Sequence, residues 1–166
     1  MRLSAGHRQW IYWAAALLFG SGALWLICHY FLRIEGEFGP APHPLESWAL
    51  RVHGAAAMLA LVVAGSLLPI HMRRAWHQRR NLLPGILLVG VLLLLSVTGY
   101  ALYYFGGEGA RPLISVLHWA VGLGAPALLL WHIASGRAAL AAMRAAPREE
   151  AAPAAEPPRA QDGRTG

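Results

Sequence analysis

Polar positions are so sparse along this chain that they divide it into four long apolar stretches, Trp10 to Leu32, Ala49 to Met72, Leu82 to Phe105 and Leu113 to Ser135. At a rise of about 1.5 Å per residue, each stretch wound as a helix crosses the roughly 30 Å of hydrocarbon in a bilayer. The pattern predicts an all-α fold, an integral membrane four-helix transmembrane bundle. It also divides the chain into a short N-terminal segment (1–9), the bundle (10–136) and a helical extension (137–146). From 147 to 166 the sequence turns to Pro, Ala, Glu and Arg without aliphatic periodicity. Such a tail cannot bury enough apolar surface to fold alone and is expected to be disordered.

Composition agrees with this pattern. Hydrophobic residues make up 57% of the chain and charged ones 13%, too apolar a balance for a soluble domain of 166 residues. All 14 basic residues are Arg, and their placement sets the orientation. Arg73, Arg74, Arg79 and Arg80 crowd the second connection with no acid among them, so that connection is expected in the cytoplasm. Glu35, Glu37 and Glu46 mark the first connection, and the 106–111 turn has one acid and one base, so both suit the periplasmic side. Both termini, with Arg2 and Arg8 at one and Arg137, Arg144 and Arg148 at the other, then fall in the cytoplasm, as an even number of spans requires. A bacterial cytoplasmic membrane is the expected location.

These arginines lie beside spans instead of on one folded face interleaved with aromatics, so nucleic-acid binding is excluded. The first span follows basic residues, as a signal peptide does, but it is long and lacks a small-x-small cleavage site, so it reads as a retained anchor. Trp48, Trp76, Tyr103, Tyr104 and Trp119 lie near the span ends and read as interfacial anchors.

Eight histidines in so apolar a chain require a separate explanation. His53 and His71 on the second span are 18 residues apart, five full turns, and so share a face. His118 and His132 on the fourth are 14 apart, within roughly 40° of one face. The two spans run in the same direction. His53 therefore meets His118 towards the periplasm, and His71 meets His132 towards the cytoplasm. A polar side chain in a bilayer is costly and by default marks a functional site. An imidazole from each of two facing helices is what six-coordinate haem iron requires. Cys28 is the lone cysteine, which excludes c-type attachment and Cys-held iron–sulfur clusters, so any haem is held noncovalently. Proton relays usually use intramembrane Asp or Glu, and these spans have none.

The metal ligands expected are thus His53, His118, His71 and His132, with Arg51 and Arg111 flanking the periplasmic pair as partners for haem propionates. Ala57, Ala60 and Ala64 on one stripe and Gly122 and Ala125 on the other are small enough to face a flat macrocycle, although small residues also line ordinary helix contacts. His29, at the end of the first span, competes for a place in the periplasmic pair. His7, His43 and His77 read as solvated loop residues. One number opposes the scheme: 18 residues climb about 27 Å and 14 about 21 Å, so straight parallel helices cannot level both pairs. A kink at Pro69 or helix tilt has to absorb the difference.

Three segments carry a family resemblance: Val52-His53-Gly54-Ala55-Ala56-Ala57, Ser96-Val97-Thr98-Gly99-Tyr100, and Leu117-His118-Trp119-Ala120-Val121-Gly122 with Leu130-Trp131-His132-Ile133. Over residues 10–136 the chain resembles the bacterial cytochrome b561-like four-helix membrane proteins, in particular the DUF4405 kind. The resemblance implies b haems that pass electrons within or across the cytoplasmic membrane. In the better-known b561 and hydrogenase-type cytochromes the first span also supplies a ligand, a place only His29 could take here.

The function expected is a dihaem b-type membrane cytochrome, an electron carrier more than a stand-alone enzyme, working as a subunit of a redox system. A quinone or a redox protein is its expected partner, and the arginine-rich and Glu-bearing loops are the places that could border a quinone site. The alternatives are a monohaem version using only His53 and His118, and a non-redox scaffold or assembly protein without cofactor.

Overall fold

In the computed structural model, which describes residues 5–78, 81–105, 107 and 109–145, the chain is an all-α bundle. Its elements are α1 (Ala5–Phe31), a hairpin of β1 (Ile34–Gly36) and β2 (Gly39–Ala41), α2 (Pro44–Leu67), a π turn (Leu68–Met72), α3 (Arg73–Gln78), α4 (Leu82–Tyr104) and α5 (Arg111–Ala145). Helices α1, α2, α4 and α5 are each long and apolar enough to cross a membrane. The tail expected to be disordered lies outside the described residues.

The elements begin and end where local chemistry directs. Pro44 opens α2, where its missing N–H costs nothing, and His43 Nδ1 accepts from the Leu45 N–H at 3.2 Å as a side-chain cap. His43 is thus part of a helix start and not a solvated loop residue. The connection before it contains a two-stranded hairpin that hydrophobic patterning does not disclose. Gly36 pairs with Gly39, and a Cβ on Gly36 would lie 2.9 Å from Ala41 Cβ and from Gly39 O, so only glycine fits there. At the far end, Asn81 enters α4 in the left-handed region at φ 51°. His7 belongs to α1, where its Nε2 donates to Ser66 Oγ at 3.0 Å.

Packing follows a seven-residue period. On α1 the buried residues are Ala14, Ser21 and Cys28, on α2 Ala49 and Ala56, and on α4 Pro84 and Thr98. Small residues in such a seam let antiparallel helices approach closely, as lipid-embedded helices do. The outcome is two hairpins, α1 with α2 and α4 with α5, joined to each other through α1 and α5. Helix α2, which carries His53, and the π turn, which carries His71, scarcely approach α5, which carries His118 and His132, along their backbones. Between the histidine-bearing segments, the facing histidine rings lie about 6 Å apart.

Candidate functional site

The His53 and His118 rings face each other with centres 6.1 Å apart and planes at 81°. At the other end of the bundle the His71 and His132 rings lie 6.0 Å apart at 72°. Both pairings expected from spacing are thus formed, at the same ring separation. Part of the depth mismatch is taken up where Pro69 stands. Proline cannot donate to the Gly65 carbonyl, and the chain winds from Leu68 to Met72 as a π turn, which climbs less per residue than an α turn. A second proline, Pro126, lies within the continuous helix α5 between His118 and His132 and has no place in the expected scheme.

Each ring at the hairpin end is oriented from the neighbouring helix of its own hairpin. His53 Nδ1 lies 3.0 Å from Leu18 O and 3.2 Å from Ser21 Oγ on α1. A carbonyl only accepts, and Ser21 spends its own proton on Leu17 O at 2.7 Å, so His53 Nδ1 carries the hydrogen. His118 Nδ1 is 2.8 Å from Thr98 Oγ1 on α4, and Thr98 likewise donates to Leu94 O at 2.8 Å. In both rings Nδ1–H is therefore a donor and Nε2 keeps its lone pair, the tautomer that binds a metal through Nε2.

Glycines make room for the rings. A Cβ on Gly22 would lie 3.0 Å from His53 Cε1, one on Gly99 3.3 Å from His118 Cε1, and one on Gly85 3.5 Å from His132 Cε1. Ser21-Gly22 on α1 and Thr98-Gly99 on α4 are therefore the same device used twice, a hydroxyl that orients the ring beside a glycine that admits it. Sequence reasoning misses these supporting residues. The signal available is a hydroxyl–glycine dipeptide level with a histidine of the adjacent span.

The arginine end is built differently. Asn81 Nδ2 donates to His132 O at 2.9 Å and lies 3.3 Å from His132 Nδ1. With the amide in that orientation Nδ1 is an acceptor and the hydrogen sits on Nε2; turning the amide over restores the ligating tautomer but forfeits the bond to His132 O. His71 is exposed, and among the described residues the one aromatic ring paired with it is His132.

The other candidates are placed away from the pairs. His29 gives its Nδ1 to Glu46 Oε1 at 2.7 Å and stacks on Trp25, so it does not join His53 and His118. Arg51 lies two residues, about 200°, around α2 from His53 and sets its guanidinium over Trp48 at 5.1 Å. Arg111 begins α5 seven residues before His118 and shares its face. His77 is exposed on α3. Trp48, Trp76, Tyr103 and Tyr104 are exposed, as interfacial anchors are, whereas the Trp119 indole Nε1 is buried with no hydrogen-bond partner among the described residues. Gly122 turns towards Leu95 of α4 instead of the gap between α2 and α5.

Two imidazole nitrogens that shared one metal at about 2 Å each would have their ring centres about 6 Å apart. Both pairs have that separation, and the neutral bis-imidazole donor set suits haem iron. Among the described residues no group of three or more His, Cys, Asp or Glu is arranged to hold a bare metal ion. Comparison with protein-family models, with curated proteins and with solved structures finds no match.

Proposed function

We propose that this chain is a membrane-spanning b-type cytochrome with two haem sites, His53 with His118 and His71 with His132, that carries electrons across the bacterial cytoplasmic membrane. The observation that carries the reading is the equal separation of the two facing pairs, 6.1 and 6.0 Å, at opposite ends of the bundle. Haem iron, cycling between ferric and ferrous, supplies the one-electron chemistry. The chain supplies the rest. His53 and His118 would hold the haem through Nε2 while Leu18 O, Ser21 and Thr98 hold their Nδ1–H groups, and Gly22 and Gly99 leave space for the rings. Arg111 and the Trp119 N–H, which has no partner among the described residues, would be the donors at that end for propionates; Arg51, turned onto Trp48, is not among them.

The arginine cluster supports an orientation with the His71–His132 end and both termini in the cytoplasm. Reporter fusions at the C-terminus and within 37–38 test it: cytoplasmic activity only for the first is the result expected, and the reverse pattern would invert the scheme. The haem assignment is tested by purifying the chain from haem-replete cells. Two haems b per chain by pyridine haemochrome, with a low-spin spectrum, are expected; a chain without a Soret band ends the proposal. A second reading, one haem at the hairpin end alone, is favoured by the Asn81 geometry at His132, and the haem count decides it.

A further inference from the structure

The β-hairpin carries a large apolar side chain at its tip, outside all four apolar helices. Glu37 and Phe38 form the turn between β1 and β2, and Gly39 closes it at φ 108°, a conformation that suits glycine. Phe38 is 98% exposed. Lipid accounts for the bare apolar residues along the spans but not for this one. Glu35 and Glu37 are exposed on the same hairpin, and an anionic bilayer surface repels them. The hairpin also holds its shape, with its strands paired and Arg33 donating to Pro40 O at 3.3 Å, so seating Phe38 on a partner costs little ordering.

At the base of the hairpin lies a cleft of about 340 Å³, walled by Trp25, Pro42, Pro44 and Leu50 and edged by His43, Glu46 and Ser47. Each of these polar side chains already has a partner within the chain: His43 Nδ1 accepts from the Leu45 N–H, Glu46 Oε1 pairs with His29, and Ser47 Oγ donates to Pro44 O. What the cleft offers an occupant is therefore chiefly carbon, and two prolines of fixed φ help to keep it preformed.

We propose that Phe38 of a second copy of this chain fills the cleft, and that the exchange is reciprocal, giving a two-fold dimer about the membrane normal. Copies in one membrane share orientation and depth. Phe38 is four residues from Pro42, at most about 14 Å of chain, so tip and cleft lie at the same end of the bundle. A two-fold axis along the normal then sets each tip against the other copy's cleft, the self-complementary form of an isologous interface. Charge agrees with this pairing. Arg51 stands one turn after Ser47 on the face of α2 that lines the cleft, where it meets the acidic hairpin of the other copy.

Disulfide trapping in membranes tests the contact, with one chain carrying Phe38→Cys and a differently tagged chain carrying Leu50→Cys. Cys28 is fully buried and stays out of the reaction. Oxidation is expected to join the two tags, whereas Leu113→Cys, exposed at the same end on α5, should not be joined to Phe38→Cys. Equal trapping of Leu113→Cys would mean random collision and overturn the contact. In liposomes, energy transfer between chains labelled at the C-terminus reads the dimer without a cross-link. Phe38→Ala, a change at an exposed turn, should weaken association at least tenfold, and Phe38→Leu should weaken it less. Glu35→Arg with Glu37→Arg should also weaken it, and adding Arg51→Glu should restore it. A wild type that stays monomeric, or association unchanged by Phe38→Ala, would overturn the dimer. A spin label on Phe38→Cys then tells what surrounds the tip instead, oxygen reaching it in lipid and an aqueous nickel chelate reaching it in water. Neither readout involves haem, so the dimer and the cytochrome reading fail separately.

Discussion

At the hairpin end of the bundle both rings are fixed: His53 by Leu18 O and Ser21, His118 by Thr98, each against a glycine. At the arginine end one ring is tied by a single amide that also serves a backbone carbonyl, and the other stands exposed on a π turn. The ring separations are nonetheless almost equal. Ligand spacing and ligand support are thus separate properties. Helix register sets the spacing; residues on the two helices without ligands set the support. Partners of this second kind typically change metal affinity ten- to a hundredfold, so the two ends should differ in affinity although they look alike in distance.

The comparison breaks most directly at the ligands. His118→Ala and His53→Ala should each remove the hairpin-end haem and lower the count from two per chain to one, read by pyridine haemochrome. His71→Ala should instead leave the low-spin hairpin-end spectrum unchanged. If all four alanine variants lost both haems together, the ends would be one cooperative site and the contrast drawn between them would be wrong.

Next in size are the glycines. A side chain at Gly22 or Gly99 meets an imidazole at 3.0 or 3.3 Å, and overpacking of this kind costs about 1–3 kcal/mol. Gly22→Val and Gly99→Val should therefore weaken haem binding at the hairpin end by about tenfold or more, since about 1.4 kcal/mol is a factor of ten in affinity. Gly90, where a Cβ would meet nothing within 4 Å, gives the control, and Gly90→Val should keep both haems. Equal loss from Gly90→Val would mean that valine harms these helices whatever it touches.

The spans and the four histidines are legible in the sequence because both signals are extreme. Apolar runs of this length belong in a bilayer, and an imidazole placed in hydrocarbon is too costly to be incidental. Pairing is legible as well, since helix arithmetic fixes the face, and Pro69 stands out as the place where 18 residues can be shortened. The supporting residues are not, because Ser, Thr and Gly are ordinary in membrane helices and gain meaning only from what stands opposite. Arg51 misleads for the converse reason: nearness in sequence to His53 is not nearness in space on a helix, where two residues turn the chain through about 200°. The β-hairpin leaves no signal because its three-residue strands are too short to show an alternation.

An effect of similar size, opposite in sign at the two ends, should follow from changing the Nδ1 partners. Thr98→Val deletes the acceptor for His118 Nδ1–H and leaves that donor unpaired in the bundle, which should weaken the hairpin-end site by ten- to a hundredfold. Asn81→Asp does the reverse. A carboxylate accepts from His132 Nδ1–H, leaves Nε2 bare and makes the imidazole a better donor to metal, so haem at the arginine end should be held more tightly and at a lower midpoint potential. Redox titration of the two variants separates these outcomes. A Thr98→Val chain that titrates as the wild type would show that the hydroxyl has no part in holding His118.

The smallest perturbation changes no residue. A low-spin haem binds an added ligand only when one of its own lets go, and a histidine lets go more readily when nothing but the metal holds its ring. Among the described residues His71 has no hydrogen bond at its ring, whereas His53 and His118 are each bonded at Nδ1. Carbon monoxide added to the dithionite-reduced protein should therefore shift the Soret band of about half the haem, the arginine-end half, and leave the remainder unchanged. The fraction that shifts should vanish in His71→Ala preparations that have lost that haem. It should grow when Thr98→Val loosens the other end. A uniform response of both haems would mean that the hydrogen bonds at Nδ1 do not govern release, and that the asymmetry between the ends is structural without being functional.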